Sequence, residues 1–99
     1  FQGSLKDHKA TELGTAVVKK CMEHSNLNGS EVDTVILGQV LQTGCGQNPA
    51  RQAAINSGID KDKTATTINQ VCGSGLAAVT LGFNSLKLIK LVRYNKNIN

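Results

Sequence analysis

Residues 64–86 read TATTINQVCGSGLAAVTLGFNSL, and this stretch decides the fold. Its opening part, 64–71, is rich in β-branched side chains and predicts a strand. The glycines of 72–75 predict a sharp turn, and the apolar spacing over 76–83 predicts a helix after it. The whole stretch carries no charged residue, and a helix that is uncharged on every side is typically buried on every side. We therefore expect this helix to need more surrounding protein than the chain itself supplies.

The segment before this stretch predicts a helix, a strand and a second helix. Residues 10–24 have the spacing of an amphipathic helix, for which Asp7 and Thr11 are alternative N-caps. Residues 34–41, TVILGQVL, predict a strand covered on both faces. Asn48 as N-cap and Pro49 at the first helical position predict a short helix that Ser57-Gly58 ends. The order of helices and strands predicts an α/β fold with a mostly parallel sheet.

Length and composition exclude several classes of protein. A chain of 99 residues forms one domain at most, and its 39% hydrophobic and 18% charged residues are typical of a globular protein. The aromatic content of 3% argues against a base-stacking nucleic-acid module. The net charge of +4 comes from a basic ending that we interpret as a solvated tail. We expect neither a nucleic-acid partner nor a membrane, because no segment predicts a convincing membrane span.

The cysteines and histidines predict no metal site and no disulfide framework. Cys21, Cys45 and Cys72 lack C-x-x-C spacing and a neighbouring histidine pair, and their odd number fits a disulfide scaffold poorly. A reducing, cytoplasmic location follows as the expectation. His8 and His24 lie among charged residues and are expected to be solvated. Cys21 is expected to be a small buried thiol on the apolar face of the first helix, and Cys45 a weakly activated loop cysteine.

Cys72 differs from the other cysteines because it lies where a strand meets the start of a helix. Unpaired N–H groups and the positive end of the helix dipole at that place would stabilise a thiolate. The same N–H groups can hold the oxyanion of a tetrahedral intermediate, and Gly73 and Gly75 would let a thioester carbonyl approach the backbone. On this local pattern alone, a buried structural cysteine remains the alternative.

Several blocks of sequence occur together in one order and resemble the thiolase family. They are GSLKD at 3–7, ATELG at 10–14, LGQVLQ at 37–42, GQNPARQA at 46–53 and NQVCGSGL at 69–76. The similarity covers residues 1–87. A ketoacyl synthase would share a cysteine at a helix start but lacks the GQNPARQA block.

The resemblance implies a five-layer α-β-α-β-α sandwich, of which this chain would be the incomplete N-terminal half. It implies that Cys72 is the catalytic nucleophile, which accepts an acyl group from a coenzyme A thioester. The acyl-enzyme then condenses with acetyl-coenzyme A, or, in reverse, a 3-ketoacyl-coenzyme A is cleaved. Acyl-coenzyme A and acetyl-coenzyme A are the implied substrates, with no tightly bound cofactor and a homo-oligomer as the complete protein. No residue here is assigned to coenzyme binding.

The chain also departs from the family pattern. Thiolases carry an activating histidine and a second cysteine in their C-terminal half, whereas this sequence has neither residue type after Cys72. We expect residues 1–87 to be a partial N-terminal domain that lacks its first strand, and residues 88–99 to be a divergent basic tail. The chain is then a truncated or frameshifted acetyl-CoA C-acetyltransferase that is inactive alone. The alternative is a non-enzymatic paralogue that associates with full-length subunits.

Overall fold

The computed structural model describes the backbone of residues 3–98 and the side chains of residues 3–90. Three helices and two strands follow in the order α1 (Ala10–Ser25), β1 (Thr34–Gly38), α2 (Pro49–Asn56), β2 (Thr64–Ile68) and α3 (Ser74–Ile98). The two strands pair in parallel, and α2 lies in the connection between them. The α/β class with a parallel sheet, predicted from the sequence, is confirmed.

The register of the sheet places both strand ends at one edge. Thr34 pairs with Thr64 at the start, and Gly38 pairs with Ile68 at the end. Because the pairing is parallel, the chain leaves both strands at the same edge, so the segments after Gly38 and after Ile68 are neighbours. Both strands are three residues shorter than the predicted 34–41 and 64–71. The peptide N–H of Gln39 still bonds to the Ile68 carbonyl at 3.0 Å, and beyond it the chain turns out of the sheet.

The predicted cap of α1 is wrong. The N-cap is Lys9, which has extended backbone angles, and neither Asp7 nor Thr11 caps the helix. The Glu12 carboxylate accepts a hydrogen bond from the Lys9 N–H at 3.3 Å, so an acidic side chain in the first turn binds back to the start of the helix. Thr11 lies inside the first turn, where its carbonyl accepts from the Thr15 hydroxyl.

The predicted cap of α2 is confirmed, and it also joins the helix to the sheet. The Asn48 side-chain oxygen accepts from the Arg51 N–H at 3.2 Å and from the Thr67 hydroxyl at 2.7 Å. Its amide nitrogen donates to the Ala65 carbonyl at 3.0 Å. Pro49 occupies the first helical position, where its missing N–H costs no hydrogen bond. One residue therefore both starts α2 and fixes it against β2.

The core is small and is built largely from alanine. Its buried apolar residues lie in β1, in α2 and shortly after it, and in α3: Val35, Ala50, Ala53, Ala54, Ile59 and Ala78. Val18 and Met22 of α1 pack against this cluster from one side. Short side chains let the elements approach closely but remove little apolar surface from water. The core is therefore thin, as a chain of 99 residues can bury only part of its surface.

Cys21 is exposed, which corrects the expectation of a buried thiol. Only one side of α1 meets the core, through Val18 and Met22, and no residue of the helix is fully buried. Cys21 lies with the exposed Val17 on a neighbouring side, which no element among residues 3–90 covers. The apolar face read from the sequence is therefore wider than the surface on which α1 packs.

Helix α3, which carries no charged residue before Lys87, is largely uncovered in this chain. Large apolar side chains are exposed along it: Leu76, Val79, Leu81, Phe83, Leu86, Leu88 and Ile89. By length and composition alone, Val71–Lys90 could cross a membrane, a test that core helices of globular proteins also pass. The prediction that this chain cannot bury the helix by itself is confirmed. What covers the helix remains a prediction.

Gly38 brings the end of β1 against the first turn of α3. A Cβ atom at this position would lie 2.4 Å from the Ser74 carbonyl carbon and 2.7 Å from the Gly75 nitrogen. Atoms of a backbone cannot swing away as the end of a flexible side chain can, so any other residue must push the helix outward. The missing side chain of Gly38 therefore sets how close α3 lies to the sheet.

We predict that Gly38→Ala destabilises the fold, whereas Gly75→Ala does not. The first change overlaps backbone atoms and should lower the free energy of unfolding by about 1–3 kcal/mol. The second adds a methyl group where no atom lies within 4 Å, on a helix, and should leave the stability unchanged or slightly higher. Urea unfolding of both variants at one protein concentration measures the difference, and equal midpoints would contradict the close contact at Gly38.

We predict that the chain associates in solution through α3. Leu86→Glu should weaken this association, because Leu86 is 68% exposed and contributes an apolar side chain to the uncovered helix. Leu5→Glu is the matched control, since Leu5 is 58% exposed but lies outside α3. Sedimentation velocity at several concentrations should show association that falls for Leu86→Glu alone. A concentration-independent monomer for the unaltered chain would refute the prediction.

Candidate functional site

Cys72 lies in the turn between the end of β2 at Ile68 and the start of α3 at Ser74, and its side chain is exposed. The predicted position at a strand-to-helix junction is therefore confirmed. The turn stands at the sheet edge where both strands end, beside the segment that follows β1. In open α/β sheets this edge is where ligands usually bind. The thiol is consequently both accessible and well placed for chemistry.

The backbone around Cys72 offers hydrogen-bond donors. The Gly73 N–H is bonded to the Gln70 carbonyl at 3.0 Å, and the Ser74 N–H to the Val71 carbonyl at 3.1 Å. Among residues 3–98, by contrast, no backbone carbonyl accepts a hydrogen bond from the N–H of Cys72, Gly75 or Leu76.

Such unpaired N–H groups are a property of the first turn of a helix. Together with the positive end of the dipole of α3, they favour negative charge at this end of the helix. The first turn of α3 also contains no acidic residue to oppose an anion. The turn can therefore stabilise a thiolate or an oxyanion formed on a bound carbonyl compound.

Val71, immediately before Cys72, has a left-handed backbone with φ of 51°. This conformation is unusual for a β-branched residue, and hydrogen bonds surround it. The Val71 N–H donates to the Asn69 side-chain oxygen at 2.8 Å. The Ser74 hydroxyl accepts from the Gln70 N–H at 2.8 Å and donates to the Val71 carbonyl at 2.6 Å. The chain thus turns sharply enough to present Cys72 at the edge of the sheet.

The other two cysteines have different surroundings from Cys72. Cys45 is half-buried in the loop after β1, where the Gln39 side-chain amide donates to its sulfur at 3.2 Å. Cys21 is exposed on the surface of α1. All three are free thiols. Within the described part of the chain, no group of three or more His, Cys, Asp and Glu residues is placed to hold a metal ion.

The histidines are solvated, as predicted. His8 is exposed and lies 3.3 Å from the Glu12 carboxylate, four residues along the chain. His24 is exposed in the last turn of α1. Neither forms a hydrogen bond to Cys72 in the described structure. The site as this chain builds it therefore consists of a thiol and backbone donors, without a side-chain base.

Sequence reasoning did not single out Asn69, Ser74 and Gly38 as individual residues of the site. Two signals for them were present. An asparagine side chain often accepts a hydrogen bond from the backbone N–H two residues further along the chain, which favours a turn. Serine is a preferred residue at the start of a helix. The contact at Gly38 had no signal of its own, because it depends on how closely α3 approaches β1.

Comparisons with known proteins agree on one family. The family model described as "Thiolase, N-terminal domain" matches residues 1–90. The acetyl-CoA acetyltransferase of Pseudomonas aeruginosa is 53% identical over 87 residues, which are 88% of this chain and 22% of that protein. The acetyl-CoA acetyltransferase of Rhizobium meliloti is 51% identical over 86 residues, which are 87% of this chain and 22% of that protein.

A solved structure extends the likeness to the fold. A thiolase from Ascaris suum, in complex with coenzyme A, superposes with a TM-score of 0.86 at 38% identity. The match covers 89% of this chain and 23% of that chain. The present chain therefore spans about a fifth of the length of the relatives that it matches.

Proposed function

The chain belongs to the thiolase family, through that family's N-terminal domain, and on this premise we propose that Cys72 accepts an acyl group from an acyl-coenzyme A thioester. The observation that carries the proposal is the placement of an exposed thiol beside the unpaired N–H groups of Cys72, Gly75 and Leu76. A thiolate is the nucleophilic form of cysteine, and these donors favour it. They equally favour the oxyanion that forms when the thiolate attacks a carbonyl.

The proposed half-reaction is a transfer between two sulfur atoms. The Cys72 thiolate forms a bond to the thioester carbonyl carbon, and the carbonyl electron pair moves onto oxygen. The backbone N–H groups stabilise this tetrahedral oxyanion. As the carbonyl reforms, the carbon–sulfur bond to coenzyme A breaks, and coenzyme A leaves as a thiolate that takes up a proton. Cys72 then holds the acyl group as a thioester.

The substrate class is proposed from the relatives. Two of them are named acetyl-CoA acetyltransferases, and the Ascaris suum thiolase is in complex with coenzyme A. We propose acetyl-coenzyme A C-acetyltransferase chemistry, in the direction of Claisen condensation or of 3-ketoacyl thiolysis. Coenzyme A thioesters are substrates in this proposal, without a tightly bound cofactor. No residue of the described chain is assigned to the coenzyme.

Turnover requires more than acylation. Condensation needs a group that removes the α-proton of the acetyl thioester, and general acid–base assistance is typically worth about 10²–10⁴-fold in rate. The sequence has no histidine and no cysteine after Cys72, while His8 and His24 do not contact the turn. We propose that the 99-residue chain is acylated but does not turn over, and that the complete enzyme is a homo-oligomer.

We also propose a cellular location and domain bounds for the protein. Three free thiols suit a reducing compartment, which supports a cytoplasmic location. Residues 1–87 are proposed as the partial N-terminal domain and residues 88–99 as a divergent basic tail. Neither a nucleic acid nor a membrane is proposed as a partner.

A second candidate function is non-enzymatic. The uncovered apolar side chains of α3 favour a chain that associates with longer thiolase subunits instead of acting alone. Co-purification with and without a longer relative, followed by assay of that relative's activity, separates the two functions. Formation of a stable complex by a Cys72→Ser chain, with no acylation of the unaltered chain, would favour this second candidate.

We predict that a limiting amount of iodoacetamide labels Cys72 ahead of Cys21, although both thiols are exposed. Cys72 adjoins the first turn of α3 with its unpaired N–H groups, whereas Cys21 lies on the surface of α1. Peptide mass spectrometry measures the two labels within the same sample. Labelling in urea is the control, and it should remove the preference because it removes the helix.

Steady-state assays of the purified chain test whether acylation of Cys72 leads to turnover. Condensation and thiolysis by the purified chain should stay at background, with or without Cys72→Ser. Turnover that survives Cys72→Ser would contradict both the nucleophile assignment and the proposal that this chain does not turn over.

A further inference from the structure

We propose that Asn69 and Ser74 are positioning residues, which hold Val71 in its left-handed conformation and thereby direct the Cys72 thiol. The inference deepens the proposed function and rests on it, since it assigns a role to residues that act through the nucleophile. The hydrogen bonds and the backbone angle at this turn carry it, and we call Asn69 and Ser74 together the turn clamp.

The conformation of Val71 needs an external cause. Its φ of 51° lies in a region that glycine enters freely and that branched side chains avoid. The side chain is 63% exposed, so burial of the valine does not compensate for the unfavourable backbone. A non-glycine residue keeps such a conformation where surrounding contacts determine it, and these positions cluster at functional sites.

Asn69 supplies the first of these contacts. Its side-chain oxygen accepts from the Val71 N–H at 2.8 Å. Its amide nitrogen donates to the Val40 carbonyl at 3.0 Å, in the segment that follows β1. One side chain therefore ties the peptide before Val71 to the neighbouring segment at the sheet edge. The turn is anchored to the sheet and not only to its own helix.

Ser74 supplies the second contact from the other side of the turn. The residue is 3% exposed, and its hydroxyl both accepts and donates hydrogen bonds. The oxygen accepts from the Gln70 N–H at 2.8 Å, and the hydroxyl donates to the Val71 carbonyl at 2.6 Å. The peptide groups on both sides of Val71 are thus bonded, and rotation about the backbone of Val71 would break these bonds. Because Cys72 is the next residue, the same bonds fix the direction in which its thiol leaves the backbone.

The turn clamp acts through the backbone and not on the thiol. No hydrogen bond in the described structure joins the Asn69 or Ser74 side chain to the Cys72 sulfur. The N–H of Cys72 also remains without an acceptor among the described residues. Removal of the clamp should therefore change where the thiol lies relative to the helix donors, while the thiol and the donors themselves remain present.

The test uses the ratio of the alkylation rates of Cys72 and Cys21 in the intact chain, with iodoacetamide as the probe. Misplacement of a reacting group by about 1 Å can cost roughly 10²-fold, so we expect Ser74→Ala to lower this ratio by about tenfold. Ser74→Thr keeps the hydroxyl and should retain the ratio. Ser85→Ala is the matched control, because it removes a hydroxyl that bonds a helix carbonyl at 2.8 Å on the same helix.

A rescue experiment separates positioning from a general structural role. Glycine adopts the left-handed conformation without cost, so Val71→Gly should restore much of the ratio lost in Ser74→Ala. If Ser74 only stabilised the fold, the variant that combines Ser74→Ala with Val71→Gly would have an alkylation-rate ratio as low as that of Ser74→Ala alone. Failure of the rescue, or a ratio unchanged in Ser74→Ala, would overturn the proposal while leaving Cys72 as the nucleophile.

An NMR measurement of the Val71 backbone conformation tests the proposal without using the reactivity of Cys72. In NMR spectra of the labelled chain, a left-handed Val71 gives a strong intraresidue contact between its amide and α protons. We expect this signal in the unaltered chain and in Asn69→Asp, which keeps the acceptor oxygen, and its loss in Asn69→Ala. A rate ratio near one in the unaltered chain would refute the proposed nucleophile. Persistence of the left-handed signal in both Ser74→Ala and Asn69→Ala would refute the turn clamp.

Discussion

The parallel pairing of β1 with β2 is the constraint on which the rest of the structure depends. It makes Gly38 and Ile68 partners, so that the two segments leaving the sheet lie side by side. The absence of a side chain at Gly38 then lets the first turn of α3 lie directly against the end of β1. Cys72 reaches the sheet edge because this pairing and this contact fix where β2 ends and where α3 begins.

The chemistry of the site follows from backbone geometry more than from side chains. The donors near Cys72 are peptide N–H groups of the first turn of α3, and their direction is set by the helix itself. Such donors need no reorganisation when charge develops on a substrate. The same helix carries large apolar side chains that this chain leaves exposed, so the candidate site and the uncovered apolar surface belong to one helix.

The sequence predicted the elements of the fold better than their ends. Asn48 and Pro49 carried a local signal for α2, and the structure places its start there. Both strands were predicted too long. After β2 the side chains of Asn69 and Ser74 bond the backbone of residues 70 and 71, and the chain turns towards α3 there instead of continuing the strand. The cap of α1 was wrong because Glu12 binds back to Lys9. For the site, the position of Cys72 was predictable. The left-handed conformation of Val71 was not predicted, although Asn69 and Ser74, which bond its peptide groups, carried local signals.

Direct acyl transfer tests the central claim, which is that Cys72 is the acyl acceptor. The folded chain is incubated with acetyl-coenzyme A, and the modified residue is located by intact-mass and peptide mass spectrometry. The account predicts one acetyl group on Cys72, sensitive to hydroxylamine as a thioester is, and its absence in Cys72→Ser. An acetyl group on Cys21 or Cys45 instead, or no acetyl group on Cys72 in a chain shown to be folded, would contradict it.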